Sequence, residues 1–539
     1  VSRVYKPKKK PYAHQVRAIK AALKHYREGN QGFALLMDPR TGKTKVAVDV
    51  ASILHEFEEV NRVLVVGPVV AIQVWKEQLE ENCPVPYRLV IMDKDGRKNG
   101  AMPNYGKNIL DIVIVNYDAF STPGELMYYK RGPNKGQPML DREGVHRRST
   151  RAGGRYAMKD MVLKWQPQMI ILDESHRIKS PSAKKTTALL SIADRSPDAK
   201  RMILTGTPVT KSKRLFDIYA QWRFVNPHRF VDDNGEAMNF AEFKAEYGRW
   251  LQKENYAKFI GPRNTKQLHD LVHLDSFSIT REECYDLPKS TPQIIPIELE
   301  ESAKAYDEMA EDMVARIRTG EITEASIKLV QILRLQQITS GFAKTAPTKL
   351  HPKGRLVAIG SEKLRVIQDR LEDLMEADEK VVIGALFKAD IARLIKLGKK
   401  LGVPTFAIHG GVKQADRAPI PKQFAKVSGG AIFIGQPAAA GEAIDLSAAS
   451  ILQWYSLPSS WVNFKQFSDR IALSQKPTFH EFYLARGTVD EERYTTLLED
   501  SDIGKKMIQS PERLLRIGQS LDNADKMHAA LDLFKNTVH

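Results

Sequence analysis

One feature constrains this chain more than any other: short, wholly apolar runs, each followed by a segment of helical character. Through the first 225 residues the runs are GFALLM (32–37), RVLVVGP (62–68), DIVIVNY (111–117), MIILDE (169–174) and RMILTGTP (201–208). Strands buried on both faces read as unbroken apolar stretches, and helical crossovers between them build a parallel sheet. The pattern returns at KVVIGALF (380–387), PTFAIHGG (404–411), GAIFIGQ (430–436) and ILQWYSL (451–457). The expectation is an α/β chain with two sheet-based lobes. Its 539 residues exceed the roughly 250–300 at which one core stops growing, so two domains are required in any case.

Between the lobes, Ala303 to Gly341 has apolar residues at helical spacing: Tyr306, Met309, Met313 and Ile317, then Ile327, Val330 and Ile338. That stripe is expected to pack as core. The layout predicted is a first lobe over 1–225, a helical protrusion or bridge over 226–350, a second lobe over 351–495 and a helical tail over 496–539. A basic insertion of about 121–160 interrupts the first lobe. Its densest part, Tyr128 to Arg155, carries eight Lys or Arg against two acids. Such a loop either faces a polyanion or stands as a solvated insertion.

Lys and Arg total 82 against 65 Asp and Glu, a net charge of +17 that draws polyanions to the surface, nucleic acid first among them. Cys83 and Cys284 have no metal-ligand or disulfide spacing, which fits a reducing cytoplasm. The basic N-terminus is followed by no apolar run, and Leu446–Phe464 is broken by Ser, Pro and Gln. Neither a signal peptide nor a membrane span is expected.

Two constellations carry chemistry. LLMDPRTGKTKVAVDVA (35–51) sets a strand, a tight loop and a helix in series, so that backbone amides and the helix N-terminus face a phosphate. Gly42 permits close approach, Lys43 reaches β and γ phosphates, and Thr44 can ligate Mg²⁺ through its hydroxyl. The loop Asp38, Pro39, Arg40, Thr41 lies between. The GxxxxGK[ST] pattern wants Gly where Met37 stands, and Arg40 either points outward or adds charge near the phosphates. MIILDESH (169–176) ends an apolar strand in two acids, at the sheet edge where such folds bind ligands. Asp173 is expected to hold Mg²⁺ and Glu174 to orient or deprotonate the attacking water. His176 and the hydroxyl-rich LTGTP (204–208), with Thr205, Gly206 and Thr207, can sense the γ-phosphate.

The ordered series of these motifs resembles the superfamily two helicases and translocases, and within them the Swi/Snf-related group, over roughly residues 11–495. KPYAHQVRAI (10–19) resembles the Q motif, which implies that Gln15 reads adenine and Tyr12 stacks near it. DPRTGKT, DESH and LTGTP resemble motifs I, II and III. VLVVGPVVAIQVWKEQL (63–79) and IVIVNYDAF (112–120) resemble the strand-contacting motifs, which implies that Gly67, Pro68, Trp75, Asn116 and Tyr117 line a nucleic-acid path. HGGVKQADR (409–417), following the motif IV-like VVIGALF, implies His409 and Gly410 for the second lobe. GQPAAAGEAIDLSAAS (435–450) resembles motif V and QFSDRIALSQKP (466–477) motif VI, with Gln466 coupling and Arg470 catalytic. FYLARGTVDE (482–491) is similar to the closing segment.

The resemblance implies two RecA-like P-loop lobes with helical insertions, ATP and Mg²⁺ as cofactors, and DNA as partner, duplex favoured over single strands. Two departures stand out. Motif VI offers only Arg470, with Leu473 where the family's second arginine belongs, and motif V carries Ala443 and Asp445 where Gly and Asn are commoner. The function expected is an ATP-driven translocase on double-stranded DNA in replication, recombination or repair. A strand-separating helicase and an ATP-binding scaffold with little turnover are the alternatives. A compact, monomeric, cytoplasmic motor of a bacterium or phage is expected, with no membrane partner.

Overall fold

The apolar runs of the first lobe become neighbouring strands because every one of their side chains can be buried on one sheet face or the other. A computed structural model describes residues 5–69, 71–93, 102–103, 108–121, 137, 151–152, 155–156, 158–210, 215–253, 256–286, 290–318, 325–345, 354–441 and 444–508. Most of the basic segment 128–155, Ala443 and residues 509–539 of the expected tail lie outside them. The chain divides into two units, Val1–Cys284 with Asp502–His539, and Tyr285–Ser501.

In the first unit the strands are β1 Gly32–Met37, β2 Arg62–Gly67, β3 Tyr87–Ile91, β4 Leu110–Asn116, the short pair β5 Arg151–Ala152 and β6 Arg155–Tyr156, β7 Met169–Asp173, β8 Lys200–Thr205, the hairpin β9 Gly248–Lys253 and β10 Tyr256–Pro262, and β11 Ser276–Ile279. Seven of them form a sheet in the order β11-β1-β8-β7-β2-β4-β3, with every pairing parallel. Alternate residues serve opposite faces. Ala34, Leu36, Leu64, Val66, Ile170 and Leu172 join one core, while Leu35, Met37, Val63, Val65, Met169 and Ile171 join the other. A one-residue slip of any strand would exchange these sets, so burial on both sides pins the register.

The parallel arrangement brings all carboxyl ends of strands to one edge. Because β1, β8 and β7 are adjacent, the loops after Met37, Thr205 and Asp173 emerge side by side, and those after Gly67 and Asn116 continue the row. Helices α1 Ala13–Arg27, α2 Lys43–Glu56 and α3 Ala71–Asn82 follow the N-terminal segment, β1 and β2.

The second unit has β12 Ser290–Ile297, the pair β13 Phe342–Lys344 and β14 Leu356–Ala358, β15 Lys380–Gly384, β16 Thr405–Ile408, β17 Ala431–Gly435, β18 Ile451–Trp454 and β19 Thr478–Ala485. Six form a parallel sheet in the order β12-β19-β18-β15-β17-β16. Val382, Phe433 and Leu452 face one core, and Val381, Ile432 and Ile451 the other.

The chain is thus α/β with two RecA-like lobes. The stretch 226–350, expected to be one helical protrusion, instead divides between the units. Its N-terminal part supplies the hairpin and β11, an edge strand of the first sheet. Its C-terminal part supplies β12 and the helices Ala303–Arg318 and Ala325–Thr339. The division between the units falls at Cys284, after β11 has joined the first sheet beside β1.

Candidate functional site

Gly42 makes the loop after β1 possible. Its φ is 89°, in the left-handed region, and a Cβ there would lie 2.2 Å from the Gln15 amide nitrogen. Helix α2 starts at the next residue, Lys43, whose ammonium donates to the Met37 carbonyl at 2.8 Å and to that of Asp38 at 3.2 Å. Met37 stands where the sequence pattern wants glycine. It is the last residue of the strand and fully buried, so the tight part of the loop begins after it. Arg40 carries the left-handed strain instead, at φ 70°.

The loop is gripped from α1. His14 Nε2 lies 2.8 Å from the Thr41 carbonyl, and the Gln15 amide donates to the same oxygen at 3.2 Å. The Gln15 carbonyl accepts from the Tyr12 backbone at 3.0 Å, so both ends of the amide expected to read adenine are engaged within the protein. Tyr12 is 62% exposed and stacks on His14, presenting a ring to solvent beside the loop. The role of His14 was not legible in the sequence. Only the fold brings α1 against Thr41.

Asp173 and Glu174 end β7 two strands away. Glu174 adopts φ 52°, a kink that turns the chain out of the strand into a short 3₁₀ helix, Ser175–Ile178. Asp173 is nearly buried, and burial together with the adjacent Glu174 carboxylate pushes it up to about 6, against the pull of the Trp75 hydrogen bond and the Lys43 charge. Burial also raises Glu174, but the hydrogen bond and charge of His176, with the charges of Lys43 and Arg177, outweigh it and hold this carboxyl well below the usual range. The two acids are therefore pushed apart, which suits different tasks.

The LTGTP segment closes the site. Thr207 Oγ1 and Glu174 Oε2 each lie 3.4 Å from His176 Nδ1, and the Thr207 amide donates to Thr205 Oγ1 at 3.0 Å. A Cβ on Gly206 would lie 2.8 Å from Pro39 Cδ and 3.0 Å from the Met37 carbonyl, so glycine lets this segment pack on the phosphate loop. Ser175 and Pro208 are tied through Gln221, whose carbonyl accepts from Ser175 at 2.7 Å and whose amide donates to Pro208 at 2.7 Å. His176, Thr205, Gly206 and Thr207 are thus brought together with the carboxylates. Thr44, on the first turn of α2, is half-buried.

Two residues expected along the strand path are buried. Trp75 is 1% exposed and donates its indole N–H to Asp173 Oδ2 at 2.9 Å. Tyr117 is 2% exposed and donates its hydroxyl to the Asp173 carbonyl at 2.8 Å. Large aromatic rings are driven into the core by their area, and their polar ends then take a buried partner. Gly67 and Pro68 are also buried, while Asn116 is half-buried and caps the turn after β4 by accepting from Ala119 at 2.9 Å.

In the second lobe, Gly410 is exposed and donates its amide to Gln436 at 2.9 Å, and His409 is half-buried. Arg470 does not stand out as a finger. Its guanidinium is buried and donates to the carbonyls of Gln466, Ile444 and Gly441, clamping the motif V loop to its own helix. Gln466 is likewise buried, and Asp445 is exposed with its carboxylate accepting from Ser447 at 2.9 Å.

The SNF2-related domain family matches residues 14–341, and the helicase conserved C-terminal domain matches residues 362–473. The chain belongs to the SNF2-related family. It is 23% identical over 357 residues to the SWI/SNF-related matrix-associated actin-dependent regulator of chromatin subfamily A-like protein 1 of Drosophila melanogaster, covering 65% of this chain and 42% of that protein. It is 26% identical over 330 residues to the human DNA annealing helicase and endonuclease ZRANB3, covering 60% and 28%. The SNF2-related chain spans less than half the length of these curated relatives. Among solved structures, the Sulfolobus solfataricus SWI2/SNF2 ATPase core in complex with dsDNA aligns over 95% of this chain and 97% of that one, at 19% identity and a TM-score of 0.40.

Proposed function

We propose that the chain is an ATP-driven translocase on double-stranded DNA. The observation that carries this reading is the union, at one sheet edge, of a phosphate loop, a paired Asp and Glu, and a hydroxyl-rich segment that packs on the loop at Gly206 and reaches His176 through Thr207. Asp173 and Thr44 supply one carboxylate and one hydroxyl. That donor set fits Mg²⁺, which keeps waters and nucleotide phosphates in the rest of its octahedron. When bound, the ion neutralises charge on the phosphates. The chain's own residues do the rest: Lys43 exchanges its loop carbonyls for phosphate oxygens, Glu174 takes a proton from water, and His176 with Thr207 keeps Glu174 in place.

The net charge of +17 supports a polyanionic track, and contacts to phosphates carry little sequence preference. Relatives named for DNA annealing and for DNA repair and recombination support DNA as that polymer. A second reading, a nucleic-acid scaffold that binds ATP with little turnover, is favoured by Leu473 at the finger position and by the commitment of Arg470 to backbone carbonyls. Phosphate release measured with duplex, single-stranded, forked and RNA substrates tests the proposal. Stimulation by duplex, with displacement of a third strand ahead of the motor, is the expected result. Stimulation by single strands alone, with opening of duplexes, would establish the strand-separating alternative, and no stimulation would establish the scaffold.

A further inference from the structure

Two buried aromatic side chains touch the same residue from different elements. Trp75 on α3 holds Asp173 Oδ2, and Tyr117, the first residue after β4, holds the Asp173 backbone carbonyl. Asp173 is thereby held at two points, one carboxylate oxygen accepting from the indole and the backbone carbonyl accepting from the phenol, while the Glu174 backbone also bonds the carboxylate. An oxygen accepting from a donor in a nearly dry environment is oriented far more firmly than one on the surface. Outer hydrogen-bond donors of this kind set the orientation of metal-binding carboxylates, and their loss weakens metal binding.

We infer that Trp75 and Tyr117 are positioning residues for the Mg²⁺-binding carboxylate Asp173 and not contacts to nucleic acid. The inference rests on the ATPase reading above and deepens it. Burial leaves neither ring surface for stacking on a base. Both polar ends are accounted for by Asp173. Their segments begin next to residues expected on the strand path: the Ala71 amide, which opens α3, donates to the Pro68 carbonyl at 3.0 Å, and Tyr117 follows Asn116 directly.

The test compares Trp75→Phe and Tyr117→Phe with the unaltered full chain. A fluorescently labelled ADP at fixed concentration is titrated with MgCl₂, and duplex DNA binding is measured separately. Trp75→Phe keeps an apolar ring and removes only the donor, so the Mg²⁺ concentration for half-maximal nucleotide binding should rise by about tenfold. Affinity for duplex DNA, and for labelled ADP in EDTA, should stay the same. Tyr117→Phe, which removes a single hydroxyl and tests the idea even if the tryptophan variant folds poorly, should shift the same midpoint by less. An unchanged Mg²⁺ midpoint in both variants, or a loss of DNA affinity in its place, would overturn the inference. If the unaltered chain bound labelled ADP without any response to Mg²⁺, the ATPase reading itself would fail, and that failure is visible before any variant is made.

Discussion

The two lobes share a plan, a parallel sheet with covered faces and loops at the carboxyl edge, yet they place their buried charge differently. In the first lobe Lys43, Asp173 and Glu174 converge at the sheet edge, held by backbone carbonyls, an indole and the His176 ring, while Lys45–Asp49 and Arg229–Asp275 pair away from it. In the second lobe buried charges are taken up by structural partners. Lys363 pairs with Asp490 at 2.6 Å, Arg370 with Glu481 at 2.8 Å, and Glu362 is capped by the Glu300 and Ser302 amides at 3.1 and 2.8 Å. The lesson is that the topology is indifferent to function. The first lobe gathers Lys43, Asp173 and Glu174 at one edge beside its structural ion pairs, and in the second Lys363–Asp490 joins two helices and Arg370–Glu481 a helix to a strand.

The sharpest way to break this comparison is to remove one charge from each lobe. Lys43→Ala should lower ATP hydrolysis by about 10²-fold or more while leaving the thermal midpoint of the chain unchanged, as read by phosphate release and by melting. Lys363→Met should do the reverse. It strands Asp490, whose remaining partners are Thr339 and the Ala485 amide, at a cost of about 3–5 kcal/mol in urea unfolding, with nucleotide binding retained. Arg470 sharpens the contrast, because its guanidinium holds three backbone carbonyls of its own lobe. Arg470→Ala should lower the melting midpoint by several degrees, at about 2–4 °C per kcal/mol, and Arg470→Lys should not restore it, since an ammonium lacks the planar fork that reaches three carbonyls. A loss of hydrolysis with no change in melting would restore the finger role.

The smallest effect concerns pH. Asp390 is fully buried, and burial pushes its carboxyl up to about 7, against the Ser456 hydrogen bond and the charges of Lys363 and Arg393. Its folded value lies above its unfolded value, so the stability it contributes is fully present below about pH 4 and is lost as pH rises through 7. Asp390→Asn should flatten the fall in second-lobe stability between about pH 4 and pH 7, and an unchanged slope in denaturant melts would place that slope elsewhere.

Much of this was legible in the sequence, for a physical reason. Strands in the middle of a doubly covered sheet must be apolar throughout, so GFALLM, RVLVVGP, MIILDE and KVVIGALF announce themselves. The edge strands do not. β11 is only Ser276–Ile279, and β12 carries Pro292 and Pro296 and is largely exposed, which an edge tolerates and a central strand would not. At the site, residue types that perform chemistry at fixed spacing stood out: TGKT, DESH and LTGTP. Residues whose role depends on a partner distant in the chain did not. Trp75 meets Asp173 across 98 residues, His14 meets Thr41 only when α1 folds back, and Arg470 finds Gly441 across a loop. A motif records which side chain is needed, whereas the direction it faces is decided by packing.

The central claim is that the acids ending β7 and the phosphate loop form a working hydrolytic site that DNA stimulates. Its most direct test is release of inorganic phosphate from ATP with saturating duplex DNA, comparing the unaltered chain with Glu174→Gln. DNA-stimulated release is expected from the unaltered chain and release at background from the variant, with ATP binding retained in both. Equal release from the two proteins would contradict it.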